Sequence, residues 1–301
     1  MSLCAWQPVS LARLAFALLV TLAAGRAAAL DVILLGTGFP RPDPERAAAC
    51  TAVVVGEKWF VVDAGRGATM RIAATDLKYE NLQAVFLTHL HSDHTAGLPD
   101  LFNTSWQFGR KTRALELYGP PGTRKLAKAM LEFFDYDIHI RRDVQEKHPA
   151  IGATIRTHVV RDGAVVYDDG EVKVTAFAVD HRPVEHAFGY RFESKGKVVV
   201  ISGDTRPTAN LIRYAKNADV LVLEAYLHEH FDKRDSPEVA KRLKSYHVSA
   251  EEAGEIAKQA NVKTLVLTHL IPGNADETFR ERASRAFKGR IVVGRDLMRI
   301  E

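Results

Sequence analysis

The chain has 301 residues, of which 47% are hydrophobic, 26% charged and 8% aromatic; this is an ordinary globular composition that excludes a disordered tail, a collagen and a coiled coil. Its 41 Lys and Arg against 37 Asp and Glu give a net charge of +4, which suits an anionic substrate but does not define a nucleic-acid binder. The apolar content fills a core at this length without disulfide staples.

In chain order, the first segment reads as an export signal. Arg13 precedes a charge-free run of 12 residues, 14–25, and then Ala27-Ala28-Ala29, a small-residue pattern suited to signal peptidase. A membrane-spanning helix needs roughly 20 apolar residues, so stable membrane insertion is not expected. Residues 1–29 are therefore read as a signal peptide, 30–301 as one domain, and the mature protein as periplasmic or secreted. Cleavage removes Arg13, Arg26 and no acidic residue, which lowers the charge from +4 to +2. It also removes Cys4, so Cys50 has no internal disulfide partner and is read as a buried small hydrophobe.

Short β-branched runs predict strands at 32–35, 51–55, 59–63, 84–87, 115–118, 172–177, 198–202, 220–224, 264–268 and 291–293. Helical spacing marks 95–108, 123–134, 208–216, 236–244, 249–259 and 276–287, with a loop at 40–44 and a polar connection at 231–236. Early strands come as hairpins and later ones alternate with helices. Two sheets packed face to face, with helices on both outer surfaces, reconcile the two patterns. No linker or low-complexity tract divides the chain. Val85-Phe86-Leu87-Thr88-His89-Leu90 is echoed by Leu265-Val266-Leu267-Thr268-His269-Leu270; either two halves each deliver a histidine to one cleft, or the echo is coincidence.

The sharpest chemical signal is His89-Leu90-His91-Ser92-Asp93-His94, with three imidazoles and a carboxylate in six residues at the end of an apolar strand. These are the ligand types that zinc takes, and alternate residues of a tight loop can face two neighbouring ions. Gly36 and Gly38 do not make a dinucleotide fingerprint, because the third glycine is missing and Pro40 follows.

The His-x-His-x-Asp-His loop resembles that of the metallo-β-lactamase superfamily. Leu35-Gly36-Thr37-Gly38 with Arg46, Val62-Asp63-Ala64-Gly65, Val179-Asp180-His181 with Phe188-Gly189-Tyr190-Arg191, Ser202-Gly203-Asp204-Thr205 and Thr268-His269 are similar to the ordered motifs of its ribonuclease Z-like and arylsulfatase-like branch. The resemblance implies an α/β fold, a four-layer αββα sandwich, and two Zn2+. It implies that His89, His91 and His181 hold one ion, that Asp93, His94 and His269 hold the other, and that Asp204 bridges them. Two such ions, about 3.5–4 Å apart, share a water that is acidic enough to ionise near neutral pH. His186 competes with His181 for its place, and closure of an apolar strand by Asp180-His181 favours the latter. Asp63 is read either as a support for the metal loop or as a plain turn-capping residue.

Asp93, His247 and Glu224 are the candidate catalytic residues, Asp93 also serving as a ligand. His247 and Glu224 stand where the family carries an acid/base histidine and its glutamate, although Leu223-Glu224-Ala225-Tyr226 and Val248-Ser249 depart from the usual motifs. Otherwise they are a helix-capping histidine and a buried, paired carboxylate. His139, His148, His158, His228 and His230 have no ligand-like context. Trp106, Phe108, Phe133, Phe134 and Tyr136 either wall a substrate or, as helix-spaced aromatics usually do, fill the core.

The family's transfer-RNA processing enzymes carry a long arm between Gly-Tyr-Arg and Gly-Asp-Thr, whereas Tyr190 and Asp204 are separated here by 13 residues. The expected function is therefore an exported binuclear zinc hydrolase of a small phosphodiester or sulfate ester, with no tRNA partner. The alternatives are a lactonase or β-lactam hydrolase, a ribonuclease Z-type endonuclease, and a non-catalytic zinc module. The sequence leaves open the substrate, the metal used in vivo, since iron or manganese suits the same ligands, and the oligomeric state.

Overall fold

The computed structural model describes residues 30–301, and the signal-peptide reading of residues 1–29, with Cys4, lies outside the described residues. The first sheet is built from β1 (Leu30–Gly36), β2 (Cys50–Val55), β3 (Lys58–Val62), β4 (Leu82–Phe86), β5 (Leu115–Gly119) and β6 (Ile155–Val159). The second holds β7 (Val165–Asp168), β8 (Lys173–His181), β9 (Val184–Ser194), β10 (Lys197–Ile201), β11 (Val220–Tyr226), β12 (Thr264–Ile271) and β13 (Arg290–Val293). The last strand, β14 (Arg299–Ile300), returns to the first sheet beside β1, so that the orders are β14-β1-β2-β3-β4-β5-β6 and β13-β12-β11-β10-β9-β8-β7. In both sheets the antiparallel hairpins give way to parallel pairs, from β3 to β6 and from β10 to β13.

The helices are α1 (Ala68–Ala73), α2 (Ser92–Thr95), α3 (Leu98–Phe108), α4 (Thr123–Phe133), α5 (Asp135–His139), α6 (Ala209–Ala215), α7 (His228–Arg234), α8 (Pro237–Lys244), α9 (Ala250–Gln259) and α10 (Asp276–Ser284). Strand alternation sorts the side chains into layers. Val32 and Leu34 of β1 face Val174, Tyr190 and Val222 between the sheets, while Ile33 and Leu35 face α1 and α3 through Ile72, Leu98 and Phe102. On the far side, Leu221 and Leu265 meet Leu211, Ile256 and Phe279 of α6, α9 and α10. With both faces covered, β1 is buried along its whole length. The result is the αββα sandwich expected from the sequence. Cys50 is buried and free in it.

Polar residues stop and start the helices as their chemistry dictates. The Ser249 hydroxyl accepts a hydrogen bond from the Glu252 amide and the Glu252 carboxylate accepts one from the Ser249 amide, a capping box that opens α9. Ser236 caps α8 with Pro237 in its first turn.

The differences from the sequence reading have local causes. Edge strand β6 is only partly buried, so its residues Ile155–Val159 lack a continuous apolar run. Strand β9 carries Glu185, His186, Arg191 and Glu193 among its apolar residues, which masks its alternation. Short β7 and two-residue β14 also escaped the reading, as did α1, α2 and α5. The region read as a polar connection at 231–236 largely belongs to α7, which also takes up His228-Glu229-His230. Of the aromatics read as either substrate wall or core, Trp106 is fully buried and Phe134 packs partly buried against the core, but Phe108, Phe133 and Tyr136 are 71%, 78% and 79% exposed. They sit at helix ends, where helical spacing no longer predicts which face is covered.

Gly36 ends β1 against the strand's own return, and a Cβ there would lie 1.9 Å from the Ala48 carbonyl oxygen. The backbone of residues 36–48 must therefore move to admit a methyl group. Gly36→Ala is expected to destabilise the protein by about 1–3 kcal/mol, read as a lower denaturation midpoint in urea at an unchanged slope.

Candidate metal centre

The site lies at one end of the sandwich, where strands of both sheets finish. Asp63 follows β3, and Thr88 and His89 follow β4, with His91, Asp93 and His94 at and in α2. From the second sheet come His181 at the end of β8, Asp204 after β10, Glu224 in β11 and His269 in β12, while His247 precedes α9. The Thr-His-Leu echo thus has a structural meaning: His89 and His269, one from each sheet, reach the same cleft.

Two of these side chains get there by leaving the regular strand conformation. Between β11 and β12, Glu224 pairs with Thr268 and Ala225 with Leu270, so His269 is the extra residue of a bulge, with φ of 47°. The bulge turns its imidazole out of the alternation and into the site. Asp63 has φ of 59°, also a left-handed conformation uncommon for a non-glycine residue, and turns its carboxylate under α2.

The donor atoms of His89, His91, His181 and Asp204 all lie within 4.8 Å of one another, and so do those of Asp93, His94 and His269. Asp204 stands between the groups, with Oδ1 3.4 Å from His94 Nε2 and Oδ2 3.5 Å from His269 Nε2 and 3.9 Å from His181 Nε2. Asp93 Oδ2 is 3.2 Å from His269 Nε2. His91 is exposed and the other six are buried.

Hydrogen bonds behind the cluster aim its lone pairs. Asp63 accepts from the Thr88 amide at 2.8 Å and from the Thr88 hydroxyl at 2.7 Å, and pairs with His94 Nδ1 at 2.7 Å. Because the Thr88 proton goes to Asp63, its oxygen accepts from His89 Nδ1 at 3.0 Å. The Tyr246 carbonyl accepts from His181 Nδ1 at 2.9 Å. Protons held at these three Nδ1 atoms leave the Nε2 lone pairs facing inward. His94 Nε2 has no hydrogen-bond partner although buried, and His89 Nε2 faces His91 Nδ1 at 2.9 Å. Converging imidazole nitrogens and carboxylates of this kind, with the buried His94 Nε2 lacking a hydrogen-bond partner among them, fit divalent metal ions.

The electrostatics divide the histidines. Burial lowers the pKa of His89, His91 and His181, which favours their neutral forms; at His94 and His269 burial acts the same way but is outweighed by Asp204 with Asp63 and by Asp204 with Asp93, which raise the pKa, so that a bound cation would take the place of protons there. Burial opposes ionisation of Asp204, but the neighbouring His269 and His94 prevail and hold its carboxyl well below the usual range. Beside it, His247 Nδ1 lies 2.6 Å from Glu224 Oε2, and Glu224 Oε1 accepts from the Thr205 amide at 2.6 Å. Burial, reinforced by Asp204, raises the Glu224 pKa, and burial lowers that of His247. Both shifts favour the uncharged forms of that pair.

A cavity of about 430 Å³ opens in front of His91, Asp93, His181, Asp204, His247 and His269. Its apolar wall comes from Phe39 on the β1–β2 loop, from Phe231, Leu243 and Tyr246 around α7 and α8, and from Ile271. The seven residues expected as ligands and the pair His247 and Glu224 are thus brought together. His186 is exposed on β9 and belongs to neither group. His139 pairs with Asp143 and His158 with Glu116, neither joining the cluster, and His148 packs on Trp106. Thr88, Thr205, Tyr246 and Phe39 were not singled out from the sequence. Two of them had a signal there, Thr88 in the Thr-His-Leu repeat and Thr205 in the Ser202-Gly203-Asp204-Thr205 motif.

His181→Ala is expected to lower bound metal, measured by elemental analysis of dialysed protein, whereas His186→Ala keeps the wild-type content. Asp63→Ala removes the group that orients His94 and is expected to weaken metal affinity about 10–100-fold in a chelator competition.

Residues 58–270 match the family model described as a beta-lactamase superfamily domain. Ribonuclease Z from Mycobacterium bovis (strain BCG / Pasteur 1173P2) is 40% identical over 281 residues, which cover 90% of this chain and 98% of that protein. Ribonuclease Z from Mycobacterium tuberculosis (strain ATCC 25618 / H37Rv) is 38% identical over the same shares. Among solved structures, human tRNase Z, short form, superposes with a TM-score of 0.69 at 25% identity, over 90% of this chain and 99% of that one. The metallo-beta-lactamase fold protein YhfI from Bacillus subtilis gives 0.70 at 21% identity, over 91% and 100%. The chain belongs to the metallo-β-lactamase superfamily, in its ribonuclease Z-like branch, and is a metal-dependent hydrolase of ester bonds.

Proposed function

We propose that the protein is a ribonuclease Z-type phosphodiesterase that hydrolyses RNA with the help of two zinc ions. The observation that carries this reading is the 40% identity to ribonuclease Z over 90% of the chain, joined to a buried cluster of histidines and aspartates with the donor chemistry of a two-metal site. It replaces the sequence-based expectation of a small ester substrate with no tRNA partner, because the curated relatives are ribonucleases.

His89, His91 and His181 would hold one ion and Asp93, His94 and His269 the other, with Asp204 between them. When bound, such ions polarise a phosphoryl oxygen and make a water nucleophilic near neutral pH. The chain's own residues do the rest. His247 Nδ1 is engaged by Glu224, which leaves Nε2 to face the cavity and deliver a proton to the departing oxygen. Glu224, fixed by the Thr205 amide, orients that imidazole. Asp63, Thr88 and the Tyr246 carbonyl keep the ligand imidazoles turned inward.

One observation favours a second reading, hydrolysis of a small phosphodiester or sulfate ester. Strands β9 and β10 are joined only by Lys195 and Gly196, at the place from which the family's RNA-gripping arm would emerge. We also propose that residues 1–29 direct export, on the strength of their charge-free run and alanine triplet.

A 3′-extended precursor tRNA and a panel of bis-aryl phosphates, aryl sulfates and lactones separate the readings. Site-specific cleavage of the precursor supports ribonuclease Z activity; turnover of the small esters alone supports the second reading. His247→Ala is expected to slow substrates with high-pKa leaving groups about 10²–10⁴-fold and activated aryl esters much less, at wild-type metal content. Equal losses across leaving groups would remove the proton-donor role. Amino-terminal sequencing of protein from the producing cell is expected to start at Leu30, and a retained Met1 would end the export proposal.

A further inference from the structure

The loop between β1 and β2 is built to present one side chain. Its base is closed by the Gly38 amide on the Ala47 carbonyl at 2.8 Å. The buried Arg46 guanidinium then pins it from below, donating to Thr37 Oγ1 at 2.8 Å, the Gly294 carbonyl at 2.7 Å and Asp276 at 3.0 Å. At the tip, Arg41 stands between Pro40 and Pro42, which restrict the backbone on both sides to extended conformations, and the Pro40 carbonyl is held by Arg66 at 3.3 Å. Arg41 is exposed, lines the mouth of the metal-site cavity, and has no hydrogen bond or ion pair among the described residues. A stiff loop carrying an unpaired guanidinium to a catalytic cavity is not explained by stability, since nothing in the fold uses the charge.

A second such group comes from α8. Arg242 is exposed, also without an ion pair among the described residues, next to Leu243 and one turn before Tyr246, both of which line the same cavity. Its neighbour Lys244, by contrast, is tied to Asp232. Guanidinium groups bind phosphate oxygens in a planar, bidentate manner. The cavity wall that Arg41 shares, and that Arg242 adjoins through Leu243 and Tyr246, includes Phe39, Phe231, Leu243 and Tyr246, an apolar and aromatic surface of the kind on which a nucleobase rests.

We propose that Arg41 and Arg242 bind phosphates neighbouring the one being cleaved, with the aromatic wall contacting a base, so that the site selects single-stranded polynucleotide over an isolated diester. This rests on the phosphodiester reading above. The stiff Arg41 loop and basic α8 take over contacts to the sugar-phosphate chain that a two-residue β9–β10 turn cannot make.

The test uses a 2′-O-methyl, phosphorothioate-linked uridine decamer for binding, and the dinucleotide UpU and a uridine decaribonucleotide for turnover. Arg41→Ala and Arg242→Ala are each expected to reduce the slope of log affinity against log salt by about 0.7, the value for one lost contact to a single strand. Each is also expected to lower the decamer-to-UpU ratio of kcat/KM about tenfold. Arg41→Lys keeps the salt slope while losing affinity, because the charge remains and the bidentate geometry does not. Lys216→Ala, an exposed charge just ahead of the far end of β11, controls for net charge. Slopes and ratios equal to those of Lys216→Ala overturn the proposal while wild-type cleavage of the decaribonucleotide leaves the RNA reading standing. Turnover of UpU without binding of the decamer overturns both the proposal and the RNA reading. Failure to cleave either substrate removes the phosphodiester reading, and the proposal with it.

Discussion

The structure depends on holding six imidazoles and three carboxylates together at the end of a sandwich without letting them neutralise one another in random pairs. Each buried donor has to be desolvated, and a buried polar group without a partner is costly. The fold meets this by fixing the outward-facing atoms of the cluster. Asp63 takes His94 and Thr88, Thr88 takes His89, and a backbone carbonyl takes His181. What remains unsatisfied, as at His94 Nε2, points inward, where a cation offsets the cost.

That arrangement explains the irregular backbone around it. A regular β12 would alternate His269 away from the cluster; the bulge opposite Glu224 and Ala225 turns it back. Asp63 likewise leaves β3 through a left-handed conformation. Such conformations persist only where surrounding packing over-determines them. Here Phe86 accepts the Asp63 amide hydrogen bond and Ala64 donates to the His94 carbonyl, so the strained turn is stitched to the strand and helix it serves.

Chemistry and recognition are divided between two parts of the fold. The histidine and carboxylate cluster stands on strand ends and on the first turn after β4, where the sheets are buried on both faces. The cavity wall comes from the β1–β2 loop and from α7 and α8, which form their own small apolar cluster of Tyr226, Phe231, Ala240 and Ile271. A family can vary such a wall without disturbing the metal site.

The sandwich and the residues that cluster at its end were legible in the sequence because their signals are local. Continuous apolar runs such as 32–35 and 220–223 declare strands buried on both faces, and His89-Leu90-His91-Ser92-Asp93-His94 packs four donors into one loop. The ordered motifs around Asp63, His181, Asp204 and His269 carried the rest through family resemblance. Strands β6 and β9 were not legible, since one is a half-exposed edge and the other mixes charged with apolar residues. Nor were Thr88, Thr205, Tyr246 and Phe39, whose roles arise from contacts across the fold: His181 and Tyr246 are 65 residues apart in sequence. The sequence by itself determined which residue types are present to hold metal and which segments form sheets. Only the tertiary structure decided which nitrogen of each histidine faces inward and which arginines are left without a partner, because both follow from hydrogen bonds and ion pairs between segments that local pattern does not connect.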